Sequence, residues 1–451
     1  MKTFFTLPDP DITQESSVDP MGLQVIWTYY GQKIFGEKLT TIANDLRVFT
    51  FNLFHNHLIN RLYMEYSEEL QQAKENFKNW STDLDIKTGL LIFLEDLVTW
   101  TFYEAKTNGS NPSVNVLGIL GMSKARIVES SANGKPILLQ ANKRLGLLKN
   151  QLNLGMTGRY KGPMIKMGFY NRAFEIKDSH NPDWEKVNIL FKNWPEALTL
   201  QENILKLIVE NLFKSEKRDH PQISLEVLRA SKYWNRISSG YLNCFGSEKP
   251  VAEIRMFWKD KLGLMSGAQA ALFKEISALK EGEIIQHNTI FENSLKHVKS
   301  EVEELNKLES ILKVEPFLSH CEYLLRYLAQ NGIKKIEDHS TDLQSLRDEI
   351  KARANYNLTD APYQLKKLNA VMIADGPLEI WISNVLTYHK EVMSKRGGNA
   401  WIDMDKEKNL KHYFAPSLND SLNTIPKYLS EKPWWHTYYL ETLRSIHKGL
   451  N

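Results

Sequence analysis

The chain has 451 residues, 42% of them hydrophobic and 25% charged, a globular usage that excludes wholesale disorder and collagen-like repeats. At roughly 100–200 residues per domain, this length makes about two to four domains. The formal charge is +3, from 57 Lys and Arg against 54 Asp and Glu, too small an excess to indicate a partner until its distribution is known.

Only Cys244 and Cys321 are present, too few for a secreted disulfide framework, so a reduced, cytoplasmic protein is expected. Met1–Leu7 holds four apolar residues before Pro8, short of the about 7–15 of a signal-peptide core. No apolar run approaches the roughly 18 residues of a spanning helix. The densest, Gly89–Leu94, is broken by Glu95 and Asp96. The expectation is a soluble chain with no membrane partner.

Residues 1–18 read as a flexible tail. Asp19-Pro20 has the form of an N-cap followed by proline, and Val25, Ile26, Tyr29, Tyr30 and Ile34 follow at helical spacing. A longer helix is predicted from about Thr40, with Ile42, Leu46, Phe49, Leu53, Leu58 and Leu62 along one face. A third is predicted over Ile86–Ala105, with Leu90, Leu94, Leu97 and Thr101 on one side. Three such helices must bury their apolar faces together, making 19–105 an N-terminal helical lobe.

The composition changes at Lys106. From there to Phe174 the basic residues are Lys106, Lys124, Arg126, Lys135, Lys143, Arg144, Lys149, Arg159, Lys161, Lys166 and Arg172, and Glu129 is the one acid. The segment therefore carries +10 and the remainder −7. Eight glycines fall in the same stretch, from Gly118 to Gly168. Glycine lets backbone amides approach a ligand closely, and each phosphate that a cation neutralises releases condensed counterions. An anionic partner is indicated, with nucleic acid ahead of another anion. The competing reading is neutralisation by the acidic remainder of the chain.

Within this stretch Leu120-Gly121-Met122-Ser123-Lys124-Ala125-Arg126 repeats as Leu154-Gly155-Met156-Thr157-Gly158-Arg159-Tyr160. Both resemble the turn and recognition-helix start of helix-turn-helix and winged-helix DNA-binding segments. In the second copy, over about 145–170, the resemblance implies a first helix holding Leu147, Leu148 and Leu152 and an N-cap at Thr157. Arg159, Tyr160 and Lys161 would then project from the first turn, where side chains and free amides converge on one phosphate. Pro163, Gly158 and Gly162 depart from the pattern, because they weaken a helix. Residues 106–178 are thus expected to form a basic glycine-rich module. It would bind nucleic acid, DNA ahead of RNA, through Lys143, Arg144, Lys149, Thr157, Arg159, Lys161 and Lys166, with Tyr160 stacking on a base.

A helical middle region is predicted over 179–315, with helices at Asn203–Phe213 and Pro221–Tyr233 and a near-heptad run Val298, Val302, Leu305, Leu308, Leu312. In the C-terminal helical region, 316–451, Pro316 is expected to start a new helix that Asn331-Gly332 stops. Thr341 and Gln344 have capping-box spacing, and Leu378–Met393 reads as a helix ended by Arg396-Gly397-Gly398. Trp401–Met404 and Leu410–Phe414 should pair as a small hairpin. Pro433 should open a last helix whose aromatic residues, Trp434, Trp435, Tyr438 and Tyr439, enter a core or a docking surface.

Catalytic signatures do not assemble. Asn133-Gly134-Lys135-Pro136 has Glu129 where a P-loop needs its first glycine, and no magnesium-binding hydroxyl follows the lysine. Glu175-Ile176-Lys177 fits half of a metal-dependent nuclease motif, and Asp85-Ile86-Lys87 is a second match, but the acid upstream of Glu175 is missing. His55 and His57 diverge at i, i+2 on a helix and read as core or solvated histidines without a metal. The fold expected is mainly α, a multi-lobed helical protein with a basic helix-turn-helix-like module and a small C-terminal β-hairpin. The function expected is a non-catalytic nucleic-acid-binding subunit with no cofactor. The general texture is similar to accessory proteins of bacterial restriction and phage-defence operons, which implies a protein partner supplying the enzyme. The alternatives are a helical interaction scaffold whose basic segment docks on an acidic surface, and a nuclease around Glu175 and Lys177.

Overall fold

A computed structural model describes residues 19–107, 114–176, 182–215, 219–247, 250–330, 333–414 and 434–451. The fold is mainly α-helical. Among the described residues the helices are α1 (Leu23–Phe35), α2 (Leu46–Glu65), α3 (Ser67–Asn76), α4 (Asp83–Thr107), α5 (Met122–Ser131), α6 (Gln151–Leu154), α7 (Met156–Lys166), α8 (Pro182–Lys192), α9 (Pro195–Leu207), α10 (Leu225–Ala230), α11 (Trp234–Phe245), α12 (Ala252–Lys261), α13 (Gly267–Ala278), α14 (His287–Ser294), α15 (Val302–Leu328), α16 (Ser340–Arg353), α17 (Tyr363–Met372), α18 (Leu378–Lys395) and α19 (Leu440–Leu450). Strand is limited there to two antiparallel pairs, β1 (Leu138–Gln140) with β2 (Gln222–Ser224) and β3 (Ile402–Met404) with β4 (Leu410–His412). No helix among the described residues is long and apolar enough to cross a membrane.

The chain divides into two compact units, one of residues up to Ile34 with Gln286–Tyr438, the other of Phe35–Ile285 with Tyr439–Asn451. In the first unit α1 starts at Leu23, not at Pro20, so Asp19 is not its N-cap residue; its carboxylate reaches past the intervening turn and accepts from the Leu23 and Gln24 amides at 2.7 Å. The predicted break at Pro316 does not occur: α15 runs through it, with Val314, Phe317 and Leu318 buried on either side. A proline weakens one turn of a helix, and packing along the rest of these 27 residues outweighs that loss. Asn331-Gly332 lies outside the described residues. Thr341 sits inside α16 and caps nothing, while Gln344 bonds along the helix to Asp348. The hairpin forms as β3–β4 in the register Ile402↔His412 and Met404↔Leu410. Asp405 builds its turn by accepting from the Glu407 and Asn409 amides.

The last helix begins later than the aromatic run suggests, at Leu440. The amides of Trp435 and His436 are donated to the Glu315 carboxylate at 2.7 and 3.0 Å, and Tyr438 and Tyr439 have left-handed backbones. Trp434, Tyr438 and Tyr439 are buried core. His389 is the other polar tie of this unit. Its Nε2 accepts from the Trp401 amide, which leaves Nδ1–H to donate to the Pro20 carbonyl and fixes the neutral tautomer.

In the second unit α2 starts at Leu46, not Thr40, because Asp45 is the residue that accepts a first-turn amide, from Arg47. α2 and α4 are buried around most of their circumference, polar positions included, so neither shows the single apolar stripe of a surface helix. The helix predicted from Pro221 is a strand first. Residues 222–224 pair with β1, and only Leu225–Ala230 of that stretch is helical. The predicted Asn203–Phe213 helix lies on the end of α9 and a π-turn at Ile208–Leu212.

Candidate nucleic-acid interface

The basic segment is laid along α4. Glu95, Thr99 and Tyr103 stand at four-residue intervals on one face of that helix, and each holds a different part of the segment. Glu95 Oε1 accepts from the Thr157 amide at 2.5 Å, Thr99 donates to the Leu120 carbonyl at 2.9 Å, and Tyr103 donates to Glu129 at 2.8 Å. Beside this row, Asp96 accepts from the Leu147 amide, and the Gln151 carboxamide donates to both acids, at 3.1 and 2.9 Å. Two glycines permit the close approach. A Cβ on Gly89 would stand 2.8 Å from the Ala141 carbonyl carbon, and one on Gly155 would collide with Glu95 Oε2.

Glu95 and Asp96 are both fully buried, and neither forms an ion pair among the described residues. Burial therefore raises both pKa values, that of Asp96 to about 7, although the hydrogen bonds from Thr157, Gln151 and Leu147 oppose the rise. The acids that seat the basic segment thus bind its backbone and one carboxamide, and not its lysines or arginines. Sequence reasoning missed them as site residues. The signal was there in two adjacent acids interrupting the most apolar run of the chain.

The two repeats share a local form, with Gly121 and Gly155 at the N-cap positions of α5 and α7. The second repeat does not present the surface expected of it. α6 is one turn of four residues, and Gly155 alone joins it to α7. Thr157 is buried in the first turn of α7, not its N-cap, and its amide is already given to Glu95. The converging free amides expected for a phosphate are therefore absent at this position. Tyr160 is buried too. Its hydroxyl accepts from the Asp45 amide and its ring packs edge-on against Phe49, so it offers no stacking face. Pro163 is tolerated eight residues into α7.

Ten of the eleven cations of the segment fall into two sets. Arg159 donates to the Leu154 carbonyl, Lys161 lies 4.0 Å above the Phe174 ring, Lys143 pairs with Asp85 at 2.6 Å, and Lys166 pairs with Glu37 at 2.9 Å. Lys124, Arg126, Lys135, Arg144, Lys149 and Arg172 are exposed and make no ion pair with a described acid. Arg144 and Lys149 flank the turn whose Leu147 amide is held by Asp96. Their backbone is anchored and their charges are free.

His55 and His57 are core groups. His55 bonds to the Tyr241 hydroxyl, and His57 sits between Gln201 and Asn188. Burial lowers their pKa values to about 3 and about 4. No group of three His, Cys, Asp or Glu side chains converges among the described residues. Glu175 is exposed and accepts from Asn171, and Lys177 lies outside the described residues. What these residues define is a helical protein with a cationic segment seated on buried acids. Compared with protein-family models, curated proteins and solved structures, the chain matches none.

Proposed function

We propose that the chain is a non-catalytic nucleic-acid-binding protein whose 106–174 segment contacts the phosphate backbone. One observation carries the reading: the segment is seated through Glu95 and Asp96 by backbone and amide contacts, so six of its cations remain exposed and unneutralised. Internal neutralisation would instead have placed the excess charge of the segment against acids. Contacts of this kind position a nucleic acid without specifying its sequence.

Binding is expected to weaken steeply with salt. For about four to six phosphate contacts, log affinity should fall against log salt with a slope of about −3.6 to −5.4, at roughly −0.9 per contact on duplex. A flat response, or no binding at low salt, removes this reading and favours the interaction scaffold.

The residues carrying the contact are expected to be the free set. Arg144→Ala with Lys149→Ala should weaken binding about tenfold or more and reduce the salt slope by about two contacts. Arg159→Ala with Lys161→Ala removes the same charge from side chains already engaged, and should weaken binding less. Equal losses, in titrations on folded variants, would mean that the seating of the segment does not select its contacts.

A further inference from the structure

The two acid-x-lysine motifs lie far apart in sequence, yet Lys87 of one and Glu175 of the other line the same cavity, of about 180 Å³. Helix α2 contributes Asn56, Asn60 and Tyr63, at intervals of four and three residues and so on one face. Phe174, the last residue of the basic segment, closes another side. Each ring carries a cation: Lys87 Nζ lies 5.3 Å from the Tyr63 centroid and Lys161 Nζ 4.0 Å from that of Phe174. Arg172 is close enough to Lys161 for the two charges to interact.

As a metal site this arrangement fails, since no three acid, His or Cys side chains meet. Its volume is below the about 300 Å³ at which pockets for drug-sized ligands begin, yet it equals that of about six waters at roughly 30 Å³ each. That is room for one planar heterocycle, with any attached sugar and phosphate left at the mouth. The polar lining offers three acceptors beside the lysine. Asn56 and Asn60 each give one amide N–H, to Asn52 and Met64, and their amide oxygens accept nothing among the described residues. Glu175 commits one oxygen to Asn171, which leaves the other, and Lys87 supplies the donor.

Resting on the nucleic-acid reading, we infer that this cavity takes an unpaired base of a bound single strand and prefers bases bearing an exocyclic amino group. Amino groups answer the three acceptors and a ring carbonyl or nitrogen answers Lys87, whereas thymine offers two carbonyls and one N–H. Arg172, one of the exposed cations, holds a flanking phosphate. A base buried in a duplex reaches none of these groups.

The test compares oligodeoxycytidine with oligothymidine of equal length at mildly alkaline pH, where electrostatics are matched and cytosine is neutral. The expected result is an approximately tenfold preference for the cytosine strand, the scale of a base-edge contact. Asn60→Ala and Glu175→Gln should each reduce that preference towards parity without changing the salt slope. If both strands bind equally with the full salt slope, the cavity inference falls and the backbone reading stands. A preference that survives both substitutions places the discriminating site elsewhere and likewise overturns it. If neither strand nor duplex binds, the proposed function itself fails.

Discussion

Glu315→Ala is expected to destabilise the unit containing α15 by at least about 3 kcal/mol. The carboxylate is fully buried and accepts from five donors: the Trp27 indole at 2.7 Å, the Tyr438 hydroxyl at 2.7 Å, the Ser319 hydroxyl at 3.0 Å, and the amides of Trp435 and His436. No cation pairs with it among the described residues, and burial raises its pKa against the pull of these donors. The net worth of each bond is modest. The loss on truncation is larger, because every donor stranded without water costs about 1–3 kcal/mol. Glu315→Gln keeps the volume and one acceptor oxygen and should cost less. The effect is read by denaturant unfolding followed through tryptophan fluorescence, and by hydrogen exchange at the Trp435 and His436 amides. A loss below about 0.5 kcal/mol, the size of an ordinary surface change, or unaltered exchange at those amides, would contradict the clamp.

That clamp also shows where the sequence was legible and where it was not. The periodic helices came through within a few residues at α4 and α18, since spacing and caps act locally, whereas α2 starts at Leu46, well after the Thr40 its spacing suggests. So did the β3–β4 hairpin, whose turn is built by Asp405 alone. Elements decided by distant partners were misjudged. Pro316 reads as a helix start, but α15 continues because both flanks are buried. The segment 434–439 reads as helical, but Glu315, more than a hundred residues earlier, takes its amides. β2 reads as helix because nothing local announces that β1 will pair with it.

The basic segment repeats that division. Its charge asymmetry is a count and is visible without any fold. Which cations stay free depends on α4, where Glu95 occupies the amide of Thr157 and the buried position of Tyr160 removes the expected stacking ring. A local motif therefore pointed to Arg159 and Lys161, whereas the fold leaves Arg144 and Lys149 unpaired.

The seat of that segment is expected to weaken as pH rises, and Asp96→Asn to reduce the dependence. Glu95 and Asp96 are adjacent, fully buried, bridged by Gln151 and unaccompanied by any cation among the described residues. The phenol of Tyr170, also buried and without a hydrogen-bond partner among the described residues, adds only another group whose ionisation is opposed by Glu95. Two such carboxylates cannot both ionise cheaply, so the pair titrates as a unit and holds a proton near neutrality. Asp96 rises from its ordinary 3.8 to about 7, first through burial and secondarily through the Glu95 charge. Because the folded value is the higher one, the folded state retains a proton that the unfolded chain has lost between the two values. The stability contributed is complete below the unfolded pKa and is lost as pH rises through the folded one. Other acids titrate in the opposite sense, so the informative quantity is the wild-type stability minus that of Asp96→Asn at each pH. It should fall from about pH 4 to about pH 7 and then level. The substituted carboxamide keeps an oxygen for the Leu147 amide, so the fold and the anchor survive in the variant. Protection of the Leu147 amide, taken relative to its intrinsic base-catalysed exchange, should fall above neutral pH further in the wild type than in the variant, and with it the turn carrying Arg144 and Lys149 should loosen. Parallel stability curves for the two proteins would mean that Asp96 carries no titrating proton in this range.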